Sequence, residues 1–78
     1  MTRLVFLGRL EDVAGAPERE VPGGALADIL GALDADLAAA LSADRIRIAV
    51  NGTLIGDRAG LILTDGDELA FLPPVSGG

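Results

Sequence analysis

The 78-residue sequence contains no cysteine, histidine, lysine, tyrosine or tryptophan. The lack of cysteine excludes disulfides, thiolate metal sites and cysteine nucleophiles. Without histidine, lysine and tyrosine, the usual general bases, covalent nucleophiles and imidazole ligands are also missing. Because only carboxylates, arginines and a few hydroxyls remain, we expect neither a self-contained enzyme nor a bound metal or cofactor.

Positive charge and long apolar runs are also scarce. Six basic residues face twelve acidic ones, and the net charge of −6 has the wrong sign for holding a nucleic-acid backbone. The longest apolar runs, such as residues 37–41, are far too short to span a membrane, and residues 4–7 are too few for a signal-peptide core. We therefore expect a soluble, cytoplasmic protein with neither nucleic-acid nor membrane partners.

Short strand patterns occur on both sides of one helical pattern. Residues 4–7 form a continuous apolar run that favours a strand buried on both faces, and residues 45–50 alternate as in a half-buried strand with both arginines outward. Asn51-Gly52 is a strong hairpin signal, because a type I′ turn needs positive φ at both positions. The predicted strands are 4–7, 18–21, 45–50, 53–55 and 68–72, and residues 61–63 are expected to place apolar side chains under the sheet.

Residues 25–41 carry apolar side chains at helical spacing and predict the main helix. Gly31 and Asp34 predict that it breaks into two segments near Leu33, and a single helical turn is expected before Gly15. The order ββαβββ, with the first and last strands paired at the sheet centre, indicates an α+β domain over residues 1–72. This is a ubiquitin-like β-grasp arrangement, with a mixed sheet and one main helix on one face.

After the last predicted strand, residues 73–78 form a tail. Pro73 and Pro74 favour an extended exit, and Gly77 and Gly78 have no Cβ and can pass through a narrow channel. Six extended residues reach about 20 Å, enough to place a terminal carboxylate inside another protein. The residues expected to thread are Pro73, Pro74, Val75, Ser76 and Gly77.

The other polar groups have more ordinary interpretations. Residues 65–68 form an acidic turn without calcium-loop spacing, and the serines and threonines have no base to activate them. Arg45 and Arg47 fit either a solvated sheet face or a docking surface. The remaining reactive group is the Gly78 carboxylate, which another protein must activate, for example as an acyl-adenylate.

Three segments then show a family resemblance. Residues 69–78 (LAFLPPVSGG), 63–68 (LTDGDE) and 49–54 (AVNGTL) resemble the small subunit of molybdopterin synthase, the MoaD-type sulfur carriers, and residues 4–10 and 27–30 also match. The sequence departs from that pattern at Gly8, where alanine is commoner, at Glu11-Asp12, which replaces a more basic stretch, and in lacking the usual threonine helix cap.

The resemblance implies a reaction cycle and a docking surface. An E1-like enzyme, using ATP and magnesium, would adenylate Gly78, and a sulfur donor would convert it to a thiocarboxylate. The carrier would then dock on the large synthase subunit, in a heterotetramer with two of each, and deliver sulfur to cyclic pyranopterin monophosphate. The family's docking surface corresponds here to Leu54 and Leu72. Phe71, Arg45 and Arg47 are further candidate docking residues.

Three alternatives stay open at this point. A carrier of the same fold could serve thiamine or another sulfur acceptor, although such relatives usually lack Pro-Pro-Val-Ser before the diglycine. A ubiquitin-like modifier would join Gly78 to lysines of target proteins. A passive binding module with an incidental diglycine is the third possibility.

Overall fold

The computed structural model describes residues 1–74. It contains seven strands and three short helices in these residues, in the order β1 α1 β2 β3 α2 α3 β4 β5 β6 β7. Their bounds are β1 Thr2–Phe6, α1 Leu10–Ala14, β2 Glu18–Val21, β3 Gly24–Ala25, α2 Leu26–Gly31, α3 Ala35–Leu41, β4 Arg47–Val50, β5 Thr53–Ile55, β6 Ile62–Leu63 and β7 Glu68–Leu72.

Five of the strands form one mixed sheet in the order β2-β1-β7-β4-β5. β1 and β7 run parallel, and the other neighbouring pairs are antiparallel. A parallel pair needs a crossover connection, which the helices and the intervening strands supply. The predicted pairing of the first and last strands inside the sheet is confirmed, and it places the end of β7 next to the end of β1.

The β4–β5 hairpin turns at Asn51 and Gly52, as predicted. Their φ values are 50° and 86°, and Val50 pairs with Thr53 directly across the two-residue loop. Positive φ at both central positions is what a type I′ turn requires, and asparagine and glycine tolerate it best. The turn fixes the register of both strands.

The predicted main helix is two helices, α2 and α3. Leu33 N–H still donates to Leu30 O at the end of α2, and Ala38 N–H donates to Asp34 O in the first turn of α3. The expected break near Leu33 is therefore confirmed. α2 begins without a side-chain cap, but Leu26 N–H donates to Leu61 O at 2.9 Å, which satisfies one of its free donors.

One face of the large sheet and the helices enclose the core. The rings of Phe6 and Phe71, the only aromatic residues of the chain, stack with centroids 5.9 Å apart and an interplanar angle of 9°. Each buried side chain of this size contributes about 1.5–3 kcal/mol relative to leaving it exposed. The core residues are Leu4, Phe6, Leu10, Leu26, Ile29, Leu37, Leu41, Ile46, Ile48, Leu63, Leu69 and Phe71.

The segment at residues 61–63 differs from the prediction. β6 pairs with β3 in a separate two-stranded sheet, and Leu63 is buried while Ile62 is 60% exposed. The expectation that all three apolar side chains lie under the sheet was therefore wrong for Ile62. A two-residue strand carries too little alternation to be seen in sequence.

The Arg58 side chain holds its loop against the core through two hydrogen bonds that the sequence did not indicate. Its Nη1 donates to Leu41 O at 3.0 Å, and its Nη2 donates to Ile46 O at 2.7 Å. The planar guanidinium suits such a two-pronged contact, and a cation is favourable beside the carboxyl end of α3. Among residues 1–74, no helix is long and apolar enough to cross a membrane.

Candidate functional site

The tail begins at the end of the sheet where β7 stops, next to the end of β1. Leu7 N–H donates to Phe71 O at 3.1 Å beyond the last β1 residue, and β7 ends at Leu72. Pro73 and Pro74 follow and are half-buried. Four predicted tail residues, Val75, Ser76, Gly77 and Gly78, lie outside the described residues, so the role of the Gly78 carboxylate stays a prediction.

One row of apolar side chains crosses four strands on the sheet face opposite the core, and this face also carries Arg3, Arg47 and Glu68. Val5, Ala70, Ala49 and Leu54 are Cα partners in one continuous row over β1, β7, β4 and β5. Because side chains alternate along a strand, this row faces away from the buried side chains of the core. Leu54 is 65% exposed. We call Val5, Leu7, Ala49, Leu54, Ala70 and Leu72 the open-face patch; Leu7 and Leu54 are exposed, Ala49 is buried, and the others are half-buried.

Leu7 extends this patch toward the start of the tail. It follows β1, continues the outward alternation of Arg3 and Val5, and is 41% exposed. Sequence reasoning missed it, because the continuous run 4–7 favoured a strand buried on both faces. That expectation is corrected: Leu4 and Phe6 are buried, whereas Val5 is half-buried and Leu7 exposed. Exposed apolar side chains that lie together, such as Leu7 and Leu54 with their half-buried neighbours, are typical of a protein interface.

The predicted docking residues Leu54, Leu72 and Arg47 lie on the open face, whereas Phe71 does not. Leu54 and Leu72 belong to the open-face patch, with Arg47 opposite Leu72 in the register of β4 and β7. Phe71 has a fully buried side chain stacked on Phe6, so its proposed docking role is corrected to a core role.

Arg45 is exposed but precedes β4, which begins at Arg47. Ile46 N–H donates to Ala43 O, and this turn keeps Arg45 out of the predicted strand. Arg45 and Arg47 nevertheless line one cleft together with Asp44, Pro73 and Pro74. The two guanidinium groups therefore lie beside the start of the tail, where they can bind carboxylates of a partner.

The acidic turn at residues 65–68 is held by hydrogen bonds to its carboxylates. Asp67 Oδ2 accepts from Thr64 N–H at 2.8 Å and from Thr64 Oγ1 at 3.0 Å, and Asp67 Oδ1 accepts from Asn51 Nδ2 at 3.0 Å. These hydrogen bonds lower the pKa of Asp67 because they stabilise its charged form. The bond from the Thr64 backbone has the largest effect, followed by those from the side chains of Asn51 and Thr64. Asp65 pairs with the N-terminal ammonium at 3.1 Å. Within the described part of the chain, no three acidic side chains form a group that could hold a metal ion.

The five-stranded mixed sheet, with its helices on one face and its parallel β1–β7 pair, defines the chain as a ubiquitin-like β-grasp protein. The model of the ThiS family matches residues 4–78, and the chain belongs to that family.

The similarity to known proteins extends over nearly the whole length of the chain. The molybdopterin synthase sulfur carrier subunit of Escherichia coli (strain K12) is 36% identical over 84 residues, covering 100% of both chains. The solution structure of small archaeal modifier protein 1 from Methanosarcina acetivorans is similar with a TM-score of 0.76 and 32% identity, covering 99% of this chain and 95% of that one. The crystal structure of SAMP1 from Haloferax volcanii gives a TM-score of 0.70 and 32% identity, covering 99% and 98%. These comparisons confirm the predicted fold and family.

Proposed function

We propose that this chain is the sulfur carrier subunit of a molybdopterin synthase, with the Gly78 carboxylate as the group that carries sulfur. The observation that carries the proposal is the full-length similarity to a protein named as that subunit. It is supported by the ending Pro-Pro-Val-Ser-Gly-Gly directly after β7.

The chemistry divides between the carrier and its partners. The carboxylate is ionised at neutral pH and does not react with nucleophiles by itself. In an E1-like enzyme, its oxygen bonds to the α-phosphorus of ATP and pyrophosphate leaves, with magnesium at the phosphates. A donor of sulfide-level sulfur, such as hydrosulfide, then attacks the acyl carbon and AMP leaves, which yields the thiocarboxylate. That sulfur attacks a side-chain carbon of cyclic pyranopterin monophosphate in the large subunit and displaces an oxygen substituent from it. Water then hydrolyses the resulting thioester, which leaves the sulfur on the pterin and regenerates the carboxylate, and a second thiocarboxylated carrier supplies the second sulfur of the dithiolene.

The open-face patch is the proposed docking surface for the large subunit, in an assembly with two copies of each subunit. Leu54 and Leu7 are exposed apolar side chains, and Leu72 is half-buried next to Pro73. Burying such side chains in an interface is favourable, and a few of them usually supply most of the binding energy. Arg47, opposite Leu72, adds a charged contact at the rim.

Intact-mass measurement of the carrier tests the reaction. Incubation with the activating enzyme, ATP and a sulfur donor should raise the mass by the difference between sulfur and oxygen, at the C-terminus alone. Deleting Gly78 should abolish both this shift and molybdopterin formation with the large subunit. Molybdopterin formation without Gly78 would contradict the proposal, and capture of a thiazole synthase instead of a pterin synthase would redirect it to thiamine.

A second candidate function is protein modification through Gly78. It is favoured by the similarity to two solved structures named as small archaeal modifier proteins. Conjugation would leave an isopeptide bond from Gly78 to a lysine of a target, and a ladder of heavier species in denaturing gels. Because this chain has no lysine, it cannot form lysine-linked chains on itself. Conjugates that disappear when Gly78 is deleted would support this function.

A further inference from the structure

A groove lies next to the start of the tail, on the side of the sheet that the helices cover. It has a volume of about 350 Å³ and lies between α1 and the turn that joins α3 to β4. Leu10 and Ile46 are buried at this groove, and Val13 is 49% exposed. We call it the tail groove, and its apolar lining consists of Leu10, Val13, Ala40, Ala43, Ile46 and Pro74. It offers a partner an apolar surface that is separate from the open-face patch.

Three arginines border this region without carboxylate partners. Arg9 and Arg45 line the tail groove, and Arg47 lines the neighbouring cleft together with Arg45 and Pro74. Over residues 1–74, ion pairs form only at the N-terminal ammonium and at Arg3. Arginine beside an apolar pocket is a common arrangement at the centre of protein interfaces. The three guanidinium groups can therefore pair with carboxylates of a partner.

The sign of this local charge is opposite to that of the chain. The whole chain has twelve acidic and six basic residues, and half of the basic residues border these two clefts. Among the described residues that line the clefts, Asp44 is the only acidic one, and Glu11 and Asp12 of α1 line neither. The surface around the start of the tail is therefore complementary to an acidic partner.

We propose that the tail groove binds an acidic segment of the large subunit, with an apolar side chain in the groove and neighbouring carboxylates on Arg9 and Arg45. The choice of partner follows from continuity, because Arg47 shares a cleft with Arg45 and lies opposite Leu72 of the open-face patch. A protein that encloses the tail from the open face therefore reaches the groove. The inference rests on the proposed carrier function and extends the docking surface from the sheet to the helices.

Two substitutions at Val13 test the sign of the charge that the groove receives. Val13→Asn and Val13→Asp introduce side chains of nearly equal size and helix propensity, and they differ in one charge. In calorimetry at low ionic strength, Val13→Asp should bind the large subunit about tenfold more weakly than Val13→Asn, because carboxylates of the bound segment repel it. The difference should shrink at high salt, which screens the repulsion.

Arg9→Gln and Arg45→Gln test the charged contacts. Each should weaken binding about fivefold, mainly by slowing association, since charges at the edge of an interface act chiefly on the association rate. Arg19→Gln is the matched control, because Arg19 is an exposed arginine of β2 that lines neither cleft and forms no ion pair within residues 1–74. It should bind within about twofold of the unsubstituted carrier. All three arginines are exposed, so the melting temperatures should stay close together.

The outcomes separate this inference from the proposed function. If the Arg9, Arg45 and Val13 variants bind the large subunit like the unsubstituted carrier while Leu54→Asp weakens binding, the groove lies outside the interface and only the inference is wrong. Tighter binding by Val13→Asp than by Val13→Asn would mean a basic occupant and would also overturn it. Variants that lose sulfur loading by the activating enzyme but keep their affinity for the large subunit would assign the groove to that enzyme and contradict the inference. If the unsubstituted carrier does not bind the large subunit at all, the proposed function fails and the inference fails with it.

Discussion

Asn51 Nδ2 donates a hydrogen bond to Asp67 Oδ1 at 3.0 Å, and Asn51 Oδ1 accepts from Glu68 N–H at 2.9 Å. The hairpin turn of β4 and β5 thereby holds the turn that starts β7, sixteen residues later. Asn51 has two roles, because its φ of 50° also makes the type I′ turn. The strand that carries the tail is thus fixed at its first residue by a side chain from the neighbouring hairpin.

Asn51→Gly separates these two roles. Glycine accepts positive φ, so the turn is kept while both side-chain hydrogen bonds are lost. We expect the melting temperature to fall by about 5 °C, which corresponds to the loss of ordinary hydrogen bonds in a domain of this size. Thermal unfolding followed by circular dichroism checks this. Gly52→Asn, a control that leaves Asn51 intact, should cost less, and an unchanged melting temperature for Asn51→Gly would show that the bridge contributes nothing.

The Asp67 network predicts acid sensitivity. Hydrogen bonds from Thr64 and Asn51 hold the pKa of Asp67 below its usual value of 3.8. A group with a lowered folded-state pKa stabilises the fold above its unfolded-state pKa, and this contribution is lost as the pH falls through the folded-state value. Melting temperatures should therefore drop below about pH 4. Asp67→Asn should flatten this part of the profile, whereas Asp44→Asn, which removes a charge outside the network, should not. Identical acid profiles for all three proteins would contradict the assignment.

Leu54→Asp tests the open-face patch. Leu54 is 65% exposed, so the substitution should leave the melting temperature nearly unchanged while it places a charge in the proposed interface. We expect affinity for the large subunit, measured by calorimetry, to fall about tenfold or more. Ile62→Asp is the matched control, because Ile62 is 60% exposed but lies in the small β3–β6 sheet. Equal effects of the two substitutions would exclude a specific role for the open face.

Phe71 and Leu72 are adjacent residues with opposite expected effects. Phe71→Leu should lower the free energy of unfolding by roughly 1–2 kcal/mol, because it removes the stack on Phe6 and leaves a poorer fit in the core. Leu72→Ala should have a smaller effect on stability and a larger one on affinity for the large subunit. Denaturant titration and calorimetry on the same samples distinguish the two. If Phe71→Leu weakened binding without loss of stability, the reassignment of Phe71 to the core would be wrong.

Much of the fold could be predicted because its signals are local. The bounds of β2, β5 and β7 follow from alternation and from neighbouring turn residues, and the helix break follows from Gly31 and Asp34. The β3–β6 pair escaped prediction because two residues carry no period. β4 starts two residues later than predicted, because the turn from Ala43 to Ile46 replaces its first residues.

Only part of the candidate site could be predicted from the sequence. The tail was predicted from its own prolines and glycines, and Leu54 from a family resemblance. Leu7 was missed because a continuous apolar run does not show which side chains face the core. The contacts of Asn51 with Asp67 and of Arg58 with Leu41 join residues distant in sequence. Local patterns contain no information about such pairs, and only the folded chain reveals them.

The central claim is that Gly78 carries sulfur to a pterin. The most direct measurement is a single-turnover assay in which thiocarboxylated carrier, purified large subunit and cyclic pyranopterin monophosphate are mixed without any other sulfur source. The proposal predicts that molybdopterin forms while two carriers lose the mass difference between sulfur and oxygen for each molybdopterin, because its dithiolene contains two sulfur atoms. A carrier that keeps its sulfur in the presence of substrate and large subunit, or a pterin product formed equally well from unsulfurated carrier, would contradict the claim.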